Sequence, residues 1–198
     1  MAGIHRRGWC DGTGGNFSCV LRDEPLELLM APSGVDKGLV APDDLITVDG
    51  DGQLLDGSGK PSAETLLHLA IVKNRGAGAV LHTHSQAATL LSKLACPSGE
   101  SAGWIKLTGL EMLKGLEGIK SHDEEVKIPV LANDQDLKRL STAAEPVLSE
   151  APHGLLIAGH GLYAWGANLE GAKRHLEILE FLLEHLWREQ LLIGQFKR

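Results

Sequence analysis

The chain has 198 residues, 43% of them hydrophobic, and a net charge of −7 with histidines neutral. That length suits one domain with a real core, and the acidic balance argues against nucleic acid or an anionic membrane surface as a partner. No apolar stretch is long enough to span a bilayer, and Met1 to Gly8 lacks the apolar segment of a secretory signal.

Cys10, Cys19 and Cys96 are odd in number and show no paired spacing, so we read them as reduced packing residues of a cytoplasmic protein. There is no repeat, low-complexity tract or linker, and residues 1–198 are read as a single domain. A small anionic substrate would need local positive potential from a metal, backbone N–H groups or a lysine.

Taken in chain order, Gly12 to Gly15 forms a glycine-rich loop. Phe17 to Leu21 and Leu26 to Met30 read as strands joined by a turn at Arg22 to Pro25. Ala31 to Gly34 is a second turn, and Ile46 to Val48 a short strand. Ser62 is placed to cap a helix from Ala63 to about Arg75. Ala79 to Thr83 is a strand and Ser85 to about Leu94 a helix. Trp104 to Leu107 and Ile128 to Leu131 read as strands, and Asp136 to Leu148 has helical spacing. Gly154 to Ala158 and Leu162 to Trp165 form a strand pair around His160. A long helix runs from about Asn168 towards Gln190, with a core stripe of Leu169, Ala172, Leu176, Leu179, Leu183 and Leu186. Ile178, Phe181, Leu182, Trp187 and Leu191 fall outside that stripe, which suggests contact with a second surface such as another subunit. Strands and helices mix without a regular β-α-β rhythm, so we expect a mixed, largely antiparallel sheet covered by helices. The glycine loop precedes a strand, which excludes the dinucleotide fingerprint.

Side chains two apart in a strand share a face, so His82 and His84 point the same way. Two imidazoles on one face and His160 from another strand end make the ligand pattern of a catalytic zinc with an open fourth position. His68, His175 and His185 fall in helices and are read as half-buried or solvated. His5, His122 and His153 lie near loops or termini. Glu64, at a helix start, and Glu111, in Gly109-Leu110-Glu111-Met112-Leu113-Lys114-Gly115, are candidate proton carriers. A helix-dipole contact for Glu64 and a solvated charge for Glu111 are the plain alternatives. Asn16, Ser33-Gly34 and Ser62 are small donors that suit a phosphate or, more simply, a turn.

Thr13-Gly14-Gly15-Asn16-Phe17-Ser18, Ala31-Pro32-Ser33-Gly34-Val35, Lys60-Pro61-Ser62-Ala63-Glu64, His82-Thr83-His84 and Gly159-His160-Gly161 occur in the order found in class II sugar-phosphate aldolases and their relatives. The chain resembles that superfamily from Gly8 onwards. Arg75 to Ser85, Gly109 to Gly115 and His160 to Gly166 resemble its ketose-phosphate dehydratase branch in methionine salvage. The resemblance implies a three-layer α/β/α fold around a mixed, mostly antiparallel sheet. It implies one zinc per subunit on His82, His84 and His160, a phosphate pocket including Asn16, Ser33, Gly34 and Ser62, and a homotetramer. The implied substrate is a ketose phosphate. Dehydration is the expected reaction, and aldol cleavage or epimerisation through an enediolate is the alternative. Glu64 matches the aldolases' acid/base glutamate and Glu111 that of the dehydratases. Glu111 is favoured because its motif separates the two branches. A non-enzymatic scaffold of the adducin type need not keep these three histidines and two glutamates. The family usually has a helix before the glycine loop; with eight residues ahead of Trp9, either that helix is missing or very short, or the N-terminus is not the native one.

Overall fold

Short apolar runs bounded by Gly, Pro and Asp make the strands of one sheet. They are β1 (Asn16–Arg22), β2 (Glu27–Met30), β3 (Ile46–Asp49), β4 (Leu54–Asp56), β5 (Ala79–Thr83), β6 (Ala102–Leu107), β7 (Val126–Leu131), β8 (Gly154–Ile157) and β9 (Gly161–Gly166). The computed structural model describes residues 1–196, with side chains described through Ile193. Its helices are α1 (Ala2–His5), α2 (Thr65–Arg75), α3 (Gln86–Ala95), α4 (Leu137–Leu148) and α5 (Leu169–Phe196).

The strand order is β4-β3-β2-β1-β5-β9-β8-β7-β6. Every pairing is antiparallel except that of β7 with β8, which α4 connects by a crossover. On one face, Leu67, Ile71, Leu140, Ala144 and Leu148 of α2 and α4 pack against Val80, Leu155, Tyr163 and Trp165. On the other face, Ala88 and Leu91 of α3 and Leu176, Leu179 and Leu183 of α5 pack against Leu81, Leu156 and Ala164. The result is the three-layer α/β/α arrangement expected from the sequence. Each fully buried leucine contributes about 1.5–3 kcal/mol to it.

The sequence reading placed most elements within one or two residues and missed β4 and two 3₁₀ turns, Pro42–Asp44 and Glu111–Gly115. The helix before the glycine loop exists as the single turn α1. Ser85 and Asp136 cap α3 and α4 through their side chains. Ser62 does not cap α2: the N-cap position is Glu64, two residues later, and the Ser62 hydroxyl accepts the Glu64 N–H at 3.2 Å.

On α5 the expected stripe is shifted. Leu169 is 53% exposed, whereas Ile178 and Leu182 are buried. Ile178 enters the core because the 3₁₀ turn at Glu111–Gly115 packs on it: a Cβ on Gly115 would stand 2.2 Å from Ile178 Cδ1. His68 and His175 are also fully buried rather than half-exposed. Each has a local partner, the Ser18 hydroxyl at 2.7 Å and the Trp165 carbonyl at 2.7 Å.

Candidate active site

Strand pairing assembles the histidines. The β5–β9 register sets His82 opposite Tyr163 and Thr83 opposite Leu162, so the turn just before β9 lies beside the end of β5. His160 sits in that turn, its N–H bonded to the Ile157 carbonyl at 3.0 Å, with Gly159 in the left-handed region at φ 65°. Two side chains of α3 hold the turn. The Thr89 hydroxyl donates to the His160 carbonyl at 3.0 Å, and the Ser92 hydroxyl accepts the Gly159 N–H at 3.1 Å. Gly161 allows close strand packing, since a Cβ there would stand 2.0 Å from the Thr83 carbonyl oxygen.

The three Nε2 atoms converge. His82 and His84 are 2.8 Å apart, His84 and His160 3.0 Å, and His82 and His160 3.3 Å. Glu64 completes the group, with Oε1 2.9 Å from His160 Nε2 and 3.7 Å from His82 Nε2. Ligand nitrogens at about 2.0–2.1 Å from one tetrahedral zinc lie roughly 3.3 Å apart, close to this triangle. The tautomer also fits. His82 Nδ1 faces the Leu162 carbonyl at 3.0 Å and must donate to it, which leaves Nε2 with a free lone pair. Burial is the main cause holding the pKa of His82 and His84 below the ordinary histidine value, and it favours the neutral rings that metal ligation needs. For Glu64, burial pushes the pKa up, but the His160 hydrogen bond and the His82, His160 and His84 rings outweigh it and bring the value to about 2.

The three turns that carry the candidate phosphate donors are bonded to one another. Asn16 is buried and its carboxamide donates to Glu64 Oε2. Ser33 N–H donates to the Lys60 carbonyl at 2.9 Å, which joins the Ser33-Gly34 turn to the segment that holds Ser62. Gly34 has φ 73° and open space beside its Cα. The glycine loop presses on the histidines: a Cβ on Gly14 would stand 2.8 Å from His84 Nδ1. Sequence reasoning missed Lys37, whose buried ammonium donates to the Thr13 carbonyl at 3.2 Å and the Val35 carbonyl at 2.9 Å. A lone lysine in a turn gives no pattern that separates it from a surface charge. Thr89 and Ser92 were missed too, although their three-residue spacing on one helix face was legible.

Glu111 is not part of the imidazole group. It stands on its 3₁₀ turn with 73% of its side chain exposed and an ion pair to Lys114. Its neighbour Met112 lines a cavity with Trp9, Ser85 and Gln86, and Ser85 directly follows His84, so the turn borders the same end of the sheet. A larger cavity of about 680 Å³, walled by Phe17, Leu81 and Leu169, shares Arg7 and Glu177 with that cavity and holds none of the three imidazoles, Glu64 or Glu111. A second ligand-type group, Glu117, His153 and His175, lies near the other end of β8. Its two rings are tilted, with centroids 4.1 Å and planes 30° apart, and both ring nitrogens of His175 are already engaged, Nε2 by the Glu117 N–H at 3.3 Å and Nδ1 by the Trp165 carbonyl at 2.7 Å.

The sequence profile described as "Class II Aldolase and Adducin N-terminal domain" matches residues 1–187. The chain is 41% identical over 184 residues to a methylthioribulose-1-phosphate dehydratase of Sorangium cellulosum (strain So ce56), covering 91% of this chain and 84% of the relative. It is 45% identical over 179 residues to one of Granulibacter bethesdensis, covering 89% and 82%. Among solved structures it superimposes on YgbL from Escherichia coli with TM-score 0.77 and 28% identity, covering 94% and 84%. An L-fuculose-1-phosphate aldolase from Thermus thermophilus gives TM-score 0.74 and 25% identity, covering 96% and 91%.

Proposed function

Because this chain belongs to the class II aldolase and adducin N-terminal domain family, we propose that it is a hydro-lyase that dehydrates methylthioribulose 1-phosphate to its 2,3-diketone in methionine salvage. One observation carries the reading: three imidazole nitrogens and a carboxylate converge in a chain 41% and 45% identical to two relatives of that name.

His82, His84 and His160 are the proposed ligands of one zinc per subunit. Zinc held there supplies Lewis acidity toward a ketone oxygen. The substrate phosphate is proposed to rest against Asn16, Ser33, Gly34 and Ser62, where hydroxyls and backbone N–H groups of linked turns face it. A carboxylate then takes the proton from the carbon beside the ketone. The hydroxyl one carbon further leaves as water on receiving a proton, and the resulting enol tautomerises to the second ketone. Glu64 has one oxygen bonded to Asn16 and the other beside His160, which makes it a weak base. Glu111 carries only a surface ion pair and is the proposed proton carrier, with Glu64 holding His160 and Asn16 in place.

Free Cys10, Cys19 and Cys96 support a cytoplasmic setting, and no helix among the described residues is long and apolar enough to cross a membrane. Exposed Phe181, Leu191, Leu192 and Ile193 on α5 support subunit contact, in line with the proposed homotetramer. Metal analysis coupled to turnover of methylthioribulose 1-phosphate tests the function. We expect one zinc per chain and a single diketone. Two carbon fragments from the same substrate would assign an aldolase instead, and zinc-loaded protein without any product would sink the reading.

A further inference from the structure

Among the described residues, Lys37 is the one lysine or arginine that is buried, with 1% of its surface exposed. An ammonium removed from water is costly unless a partner offsets it. Here two neutral carbonyls accept two of its three N–H bonds, and no ion pair joins it among the described residues. The adjacent carboxylate, Asp36, is turned away to the Gly38 N–H at 2.8 Å and to His5 at 3.4 Å. The cation is thus left short of negative charge.

Its position is specific. Thr13 opens the loop whose next residue, Gly14, packs on His84, and Val35 follows the Ser33-Gly34 turn. Lys37 therefore stands where two of the three candidate phosphate turns meet. The third turn joins them through Ser33 to Lys60 and through Glu64 to both Asn16 and Ser62. These turns offer N–H groups and hydroxyls but no other buried cation, in a chain of net charge −7.

We infer that Lys37 is a specificity-determining residue whose buried charge, set behind these turns, selects a phosphorylated substrate. The inference rests on the proposed ketose-phosphate dehydratase activity and adds the missing electrostatic partner for its phosphate. A fixed cation in a low-dielectric wall attracts a dianion more strongly than N–H dipoles alone. Burial pushes the Lys37 pKa down, while the fields of Cys10, Asp36 and Glu64 oppose that shift. An arriving phosphate would act in the same direction as those three groups.

Two variants separate charge from tethering. Lys37→Met removes both the charge and the donors. Lys37→Gln removes the charge and keeps N–H donors for the Thr13 and Val35 carbonyls. In zinc-loaded protein, both variants should raise KM for methylthioribulose 1-phosphate at least tenfold with a smaller change in kcat. Zinc content should stay at the wild-type level. Binding of inorganic phosphate, followed by ³¹P NMR titration, should weaken at least tenfold in both. That titration needs no turnover. If the wild type binds phosphate, the variants bind it poorly and no diketone forms from any of them, the assignment of Lys37 stands and the dehydratase reading fails. Phosphate affinity equal in wild type and Lys37→Met, no phosphate binding by the wild type, or full recovery in Lys37→Gln overturns the inference. Loss of zinc in both variants also overturns it, since Lys37 would then only hold the loop against His84.

Discussion

Tyr163 lies flat on His82, with ring centroids 3.9 Å apart and planes 11° apart. The two residues are direct partners in the β5–β9 register, so sheet pairing itself stacks them. Together with the hydrogen bond from His82 Nδ1 to the Leu162 carbonyl, the stack leaves the imidazole one orientation, with Nε2 toward His84 and His160. Replacing this buried ring by Tyr163→Ala should cost about 3–5 kcal/mol of stability, the range for large aromatic truncations. It should also weaken zinc about 10–100-fold, as loss of an outer partner of a ligand does. Tyr163→Phe keeps the stack and should hold zinc near the wild-type affinity. Urea denaturation and competition with a chelator measure the two effects. Unchanged zinc affinity in Tyr163→Ala would show that the stack is packing alone.

His82→Ala should remove zinc and turnover together while the sheet remains folded. Metal analysis beside circular dichroism checks this. Stoichiometric zinc in the folded variant would contradict the proposed ligand set.

Glu111→Gln should leave zinc bound and cut turnover by about 10²-fold or more, as expected when a general acid or base is lost. Glu64→Gln removes the carboxylate beside His160 and should lower both zinc affinity and turnover. Near-normal turnover in Glu111→Gln, with a large loss in Glu64→Gln, would transfer the proton-carrying role to Glu64.

Gly14→Ala would place a methyl group 2.8 Å from His84 Nδ1. The backbone there suits an L residue, so the clash falls on the ring and not on φ. We expect zinc affinity to drop about tenfold or more with little change in thermal stability. A chelator titration giving the wild-type constant would show that the loop yields without moving His84.

Glu180 of α5 is buried and accepts a hydrogen bond from Thr83, between the two β5-end histidines. Burial raises its pKa from 4.5 to about 7, against hydrogen bonds from Ser85 and Thr83 that lower it, with Glu184 adding to the rise. The folded state therefore binds a proton that the unfolded chain releases between about pH 4.5 and 7. The contribution to stability is full below that window and is lost as pH rises through it, roughly 3 kcal/mol in all. Glu180→Gln has no such proton to lose. Relative to wild type it should gain stability from pH 5 to pH 8 in urea denaturation of the zinc-loaded protein. A parallel pH dependence of the two proteins would refute this.

Some of the site was legible along the chain because it depends on short-range geometry. The two-residue period of an extended strand puts His82 and His84 on one face whatever surrounds them, and the apolar runs on either side of His160 announce a strand pair with that residue between them. The helix starts read at Ser85 and Asp136 hold to within a residue, because each side chain caps N–H groups only two or three residues ahead. Ser62 failed as a cap because the helix entered two residues later, a choice made by the bond from Glu64 to Ser62 and by the core behind α2.

What the tertiary structure alone decided is every relation between residues distant in sequence. Nothing local says that Glu64 reaches His160, that Asn16 is bonded to Glu64, or that the Lys37 ammonium is buried between two turns. Nor does it say that Ile178 and Leu182 join the core while Leu169 does not. Local sequence determines the face on which a side chain leaves its own strand or helix, because backbone dihedrals repeat with a set period. Which partner it meets depends on strand order and register, and these are settled only when the whole sheet buries both of its faces at once.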